Sequence, residues 1–247
     1  MMIIKRSLEA LALLLGITYI VLQFFAFFDE GRAVSALLLI VLSILYGTYT
    51  KYKSRLFFGF LLLFSLALSQ DYLSYKIQLL SGDGSDYSYY STNILFMTAY
   101  LLLITKVLYR LNFKVVFFKF TMPIIVLLVL DIFCVTLVTN TSKNEFTSFD
   151  YILEFAYNAV IMLLLSVVLI NYMFRNNSKS MLLLLGSICL VFSEIIQWAY
   201  FYTLEDDVLV FMYSLLYVVA FVFFYLQSQH RCTGPEPMYL EEDFREA

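Results

Sequence analysis

Residues 181–202 read MLLLLGSICLVFSEIIQWAYFY, a run of about twenty mostly apolar positions, enough to cross a bilayer as one helix. Glu194 sits well inside it, where a carboxylate is costly unless it meets partners or a wet cavity. Two further runs repeat the pattern, 56–77 with Asp71 and 117–138 with Asp131. An acid at such depth marks a functional site by default. The reading of the chain therefore starts from these spans.

The composition places them in a membrane protein. Of 247 residues 62% are hydrophobic and only 14% charged, with a mean hydropathy of +0.84, whereas a soluble domain carries roughly a quarter charged residues. The net charge of −3 and the scatter of Lys and Arg through short connections exclude a nucleic-acid face, so no nucleic-acid partner is expected. Cys134 and Cys189 fall inside apolar runs and read as small buried hydrophobes. Cys232 and the single histidine, His230, lie near the end of the chain. Without a Cys or His cluster there is no ligand set for zinc or haem, and neither metal nor cofactor is expected.

Eight apolar runs emerge, at about 8–28, 33–50, 55–77, 93–110, 117–138, 149–173, 181–202 and 207–227, each near the length a span requires. The fold expected is all-α: a polytopic membrane protein built as one bundle of eight transmembrane helices over residues 1–227, with a short polar tail at 228–247. Lys5 and Arg6 precede the first run, which lacks a small-x-small cleavage site and reads as an uncleaved first helix. The longest connection is 78–92, whose SGDGSD cluster signals a turn. Lys and Arg gather on one side (Lys5, Arg6, Lys51, Lys53, Arg55, Arg110, Lys114, Lys119, Arg175, Lys179, Arg231), against only Arg32, Lys76 and Lys143 on the other. That asymmetry predicts both termini in the cytoplasm.

Under this topology the deep acids share a leaflet. At 1.5 Å per residue, Asp71, Asp131 and Glu194 lie about 9, 10 and 12 Å from the outer ends of their helices, and Glu154 about 7 Å from its own. Helical spacing adds Gln197 beside Glu194, and Tyr157 and Asn158 beside Glu154. Asn93, Tyr213, Tyr217 and Gln23 fall in the same half. The economical arrangement is a polar pocket between helices, opening toward the acidic side. Asp131 has few polar neighbours on its helix and also reads as a hydrogen-bonded acid that ties helices together. Glu154 is near enough to the surface to read as interfacial. Lys106, near the other end of the fourth span, is expected to snorkel to water.

A protonated acid beside an ionised one can protonate a substrate and stabilise the cation that results. Little else is on offer: no G-x-S-x-G elbow, H-E-x-x-H or phosphate-cradling glycine loop appears. Residues 55–73 (RLFFGFLLLFSLALSQDYL) and 183–202 (LLLGSICLVFSEIIQWAYFY), in the setting of eight spans, resemble the third and seventh spans of the YhhN, or lysoplasmalogenase-like, family. The resemblance implies an integral membrane hydrolase that cleaves the vinyl-ether bond of a lysolipid, with Asp71 and Glu194 as its catalytic acids and a membrane lipid or lysolipid as its partner. Asp131, Glu154, Gln197, Asn93, Tyr213 and Tyr217 are then the supporting residues. Gln70 stands where the family usually has Gly, Glu194 where it has Asp, and Thr105 or Lys106 where it often has His. The competing expectation is a divergent, non-catalytic protein that binds a lipid or small molecule. An acid-dependent transporter is a third, less favoured for want of a span broken by Pro-Gly.

Overall fold

A computed structural model describes residues 2–51, 53–81, 86–109, 111–141 and 148–230. The turn cluster at 82–85, Arg110, Lys143, and the tail from 231 onward, with Cys232, lie outside the described residues. Within them the chain is all helix: α1 (Met2–Phe24), α2 (Phe28–Tyr49), α3 (Arg55–Ser81), α4 (Asp86–Leu108), α5 (Phe113–Lys119), α6 (Thr121–Thr141), α7 (Ser148–Arg175), α8 (Ser178–Tyr202) and α9 (Asp207–Gln229). All but α5 are long and apolar enough to span a membrane, and the protein is a multi-pass membrane protein.

Local chemistry explains the boundaries. The first span, expected to run to 28, stops at Phe24 because Ala26 adopts a left-handed conformation (φ 59°). The Phe27 N–H then bonds the Leu22 carbonyl at 2.9 Å and the Ala26 N–H bonds that of Gln23 at 3.0 Å, the paired closure of a Schellman cap. Asn176, also left-handed (φ 43°) in a residue type that tolerates it, ends α7. Asn177 then opens α8 with a reciprocal capping box to Ser180. The fifth expected run divides into α5 and α6 at Phe120, and Pro123 sits in the first turn of α6, where a missing N–H costs nothing. The connection expected at 78–92 is mostly helix. Its Ser, Thr and Tyr positions lower the hydropathy, but Ser88, Tyr89 and Thr92 lie on one face of α4 that turns inward.

Seven of the eight spans close a ring. Neighbour packs on neighbour in the order α1, α2, α3, α4, α7, α8, α9, and α9 returns to α1. The eighth, α6, packs on α7 and α5 from outside the ring, leaving Ile125, Val129, Ile132 and Phe133 exposed as expected of a lipid-facing helix. The α8–α9 seam is close-packed: a Cβ on Gly186 would lie 2.7 Å from the Phe224 ring.

An aromatic plug fills the ring at the end where α1 begins. Phe57, Phe60 and Phe64 of α3 follow helical spacing along one face and meet Phe221 and Phe224 of α9, all at most 1% exposed. Phe64 and Phe221 lie 5.3 Å apart and Phe60 and Phe224 5.7 Å apart, edge to face, which suits the ring quadrupoles. The other half of the ring is open.

Candidate functional site

That open half is a cavity of about 640 Å³, within the range of small-molecule sites. Its floor is Phe64 and its walls come from α1, α2, α3, α4, α7, α8 and α9. Asp71 of α3 and Glu194 of α8 both line it, although these helices stand on opposite sides of the ring. Glu154, Gln197, Asn93, Tyr213 and Tyr217 line it as well. Asp131 does not. It accepts a 2.7 Å hydrogen bond from Ser166 of α7, so the expectation that it supports the pocket is corrected: α6 lies outside the ring, and its one acid ties it to α7.

Each carboxyl has a distinct setting. Glu194 accepts from two phenols, the Tyr100 hydroxyl at 2.7 Å on Oε1 and the Tyr157 hydroxyl at 3.0 Å on Oε2. Tyr100 is fully buried behind the cavity wall, where a phenol requires a partner. Glu154 is 8% exposed, too buried to be merely interfacial. It accepts from the Asn158 amide at 3.2 Å and meets the Tyr89 hydroxyl. Asp71 instead has a counter-ion: Arg32 of α2 places Nη1 3.3 Å from its Oδ2, with its guanidinium 4.9 Å over the Tyr75 ring. The cavity thus holds Asp71 in an ion pair with Arg32, while Glu194 and Glu154 take their hydrogen bonds from neutral groups.

Further polar groups complete the walls. Tyr213, 1% exposed, donates to Gln23 Oε1 at 2.8 Å, and Ser193 donates to the Tyr213 carbonyl at 2.8 Å. Asn93 turns its amide back to the Tyr89 carbonyl at 3.0 Å. The Tyr217 hydroxyl and the Trp198 indole N–H are buried in the wall without a hydrogen-bond partner among the described residues. Two donors left in this state suit a ligand or water that accepts from them. Among the described residues no group of three His, Cys, Asp or Glu side chains is placed to hold a metal ion.

Arg32, Tyr100 and Trp198 were not singled out in the sequence. Arg32 had one sign there, as a rare cation on the acidic side. Tyr100 and Trp198 had none, because Tyr and Trp near span ends read equally well as interfacial anchors. Thr105 and Lys106 lie at the other end of α4, away from the cavity. Lys106 does not snorkel: it is 9% exposed, with Nζ 4.2 Å from the Phe57 ring centroid.

No protein-family model, curated protein or solved structure matches this chain.

Proposed function

We propose that this protein is a lysoplasmalogenase-like membrane hydrolase that cleaves the vinyl-ether bond of a single-chain lipid by carboxylate acid–base chemistry. One observation carries the reading: Asp71 and Glu194, from opposite sides of the ring, line one cavity sunk into the membrane-spanning helices. A vinyl ether needs a proton on the carbon remote from oxygen, water on the oxocarbenium carbon that results, and a base for the water's proton. Glu194 gives the first proton, held in orientation by Tyr100 and Tyr157. Asp71, kept in place by Arg32, flanks the cation and receives the proton of the attacking water. The hemiacetal then collapses to a fatty aldehyde and a free glycerol hydroxyl. The proton taken up by Asp71 leaves to water in the open cavity, and Glu194 takes one back from it, which closes the cycle.

The Lys and Arg imbalance supports an orientation with both termini in the cytoplasm and the cavity mouth on the outer side. Purified protein in detergent, given lysoplasmalogen, is expected to release aldehyde. Asp71→Asn and Glu194→Gln are each expected to abolish release while preserving the gel-filtration profile. Aldehyde release that persists in both variants ends the carboxylate reading.

A second reading is a non-catalytic site for a lipid or small molecule. It is favoured by the engagement of Asp71 with Arg32, which leaves that carboxylate already partnered. Lipid that co-purifies with the protein, without aldehyde release, distinguishes it.

A further inference from the structure

Tyr217 differs from the other phenols around the carboxylate cavity. Tyr100 and Tyr157 donate to Glu194, and Tyr213 donates to Gln23 Oε1. Tyr217 lines the cavity and is 8% exposed, yet its hydroxyl has no hydrogen-bond partner among the described residues. A buried Tyr usually finds a partner, and a buried hydroxyl left without one destabilises the fold. Its ring is packed by Tyr19 and Phe221, with centroids 5.3 and 5.0 Å away, so the phenol is held in the wall. Trp198 carries another unpartnered donor, but an indole N–H only donates and any acceptor satisfies it. A phenol both donates and accepts, which suits an alcohol.

The packing of α8 on α9 brings this hydroxyl to the depth of Glu194. Ser193 Oγ donates to the Tyr213 carbonyl at 2.8 Å, which sets those two positions level in the antiparallel helices. Glu194 follows Ser193 on α8, and Tyr217 lies one turn beyond Tyr213 on α9, nearer the plug. Side chains lean toward the N-terminus of their own helix. The Tyr217 ring therefore leans back toward the level of Ser193, the Glu194 side chain leans toward the plug, and their polar ends converge in depth. The group that meets Tyr217 is neutral. Arg32 is the one cation among the described residues that line the cavity, and it is engaged with Asp71. An anion at this depth would have no countercharge; an alcohol needs none.

We propose that Tyr217 hydrogen-bonds the free hydroxyl on the glycerol carbon next to the one bearing the alkenyl ether, and so selects substrates with that hydroxyl present. The assignment rests on the vinyl-ether reading of the cavity. A few bonds separate the carbon that Glu194 protonates from this hydroxyl oxygen, a reach of about one helical turn. That distance suits a phenol anchored one turn below Tyr213. Tyr217 is a specificity residue and moves no proton in the reaction.

The test compares aldehyde release by the full chain in detergent from lysoplasmalogen and from its 2-deoxy analogue, which keeps the vinyl ether and lacks the hydroxyl. The parent is expected to favour the hydroxyl-bearing substrate in kcat/KM by at least about tenfold, because a site built to bond a hydroxyl rejects the analogue without it. Tyr217→Phe is expected to lose that preference while it turns over the deoxy analogue as the parent does. Its Tm is expected to stay level or rise, since an orphan buried hydroxyl is gone. Equal kcat/KM for both substrates in the parent overturns the proposal, and so does a preference that survives in Tyr217→Phe. Either result leaves the vinyl-ether reading intact. Absence of aldehyde from both substrates ends that reading, and the role of Tyr217 is then read from binding of the saturated, uncleavable ether lipids. A saturable rise in Tm that is larger for the 2-hydroxy than for the 2-deoxy ether in the parent, and equal for both in Tyr217→Phe, upholds it. Any other pattern overturns it.

Discussion

Tyr157 of α7 donates its phenolic proton to Oε2 of Glu194 on α8, 3.0 Å away, while Oε1 is taken by Tyr100. The carboxyl is therefore fixed in rotation at the wall of the cavity. A hydrogen bond to a group that carries charge in the reaction contributes about 1.5–3 kcal/mol. Tyr157→Phe is expected to lower aldehyde release by roughly tenfold to a hundredfold, with little change in Tm. The double variant with Tyr100→Phe is expected to lose more than either alone. Unchanged kcat in the double variant would show that the phenols do not position the acid.

The ion pair between Arg32 and Asp71 gives a different expectation. Its side chains are 36% and 41% exposed, and pairs so open to water contribute about 0–1 kcal/mol to stability. Arg32→Gln is thus expected to leave Tm nearly unchanged and to alter turnover or KM instead. A large fall in Tm with unchanged kinetics would make the pair a structural strut.

Ser166→Ala separates the peripheral acid from the cavity. It leaves Asp131 without its hydroxyl partner and is expected to cost about 1–3 kcal/mol. Aldehyde release per folded molecule should not change, because neither residue lines the cavity. Loss of activity at constant folded fraction would bring α6 into the mechanism.

Two backbone positions give stability predictions of opposite sign. Gly186→Ala forces a methyl against the buried Phe224 ring and is expected to cost about 1–3 kcal/mol. Ala26→Gly relieves the left-handed cap between α1 and α2 and is expected to stabilise by about 1 kcal/mol. Unfolding in detergent reads both. A Gly186→Ala protein as stable as the parent would mean the α8–α9 seam is looser than described.

Hydropathy was enough to place the eight spans, because the requirement for about twenty apolar residues leaves few alternatives. It was weakest where polar residues face inward. The first turns of α4 carry Ser88, Tyr89 and Thr92 toward the cavity, so a window average took them for a loop. Asp131 and Glu194 looked alike in sequence, each a lone acid in an apolar run. Which of them reaches the cavity depends on whether the helix belongs to the ring, and that is decided by packing between helices. Helical spacing put Tyr157 near Glu154, and the structure adds that its hydroxyl reaches Glu194. Arg32 escaped notice because its partner lies 39 positions away. Lys106 was misplaced because the length of a lysine stem says nothing about which way it points.

The return of α9 onto α1 bears on how the molecule is made. Gln23 is held by Tyr213, which follows 190 residues later. Until α9 inserts, α1 has to keep an amide waiting at membrane depth, and the chamber lacks one side. Closure of the ring is then sensitive to any nascent chain released before α9.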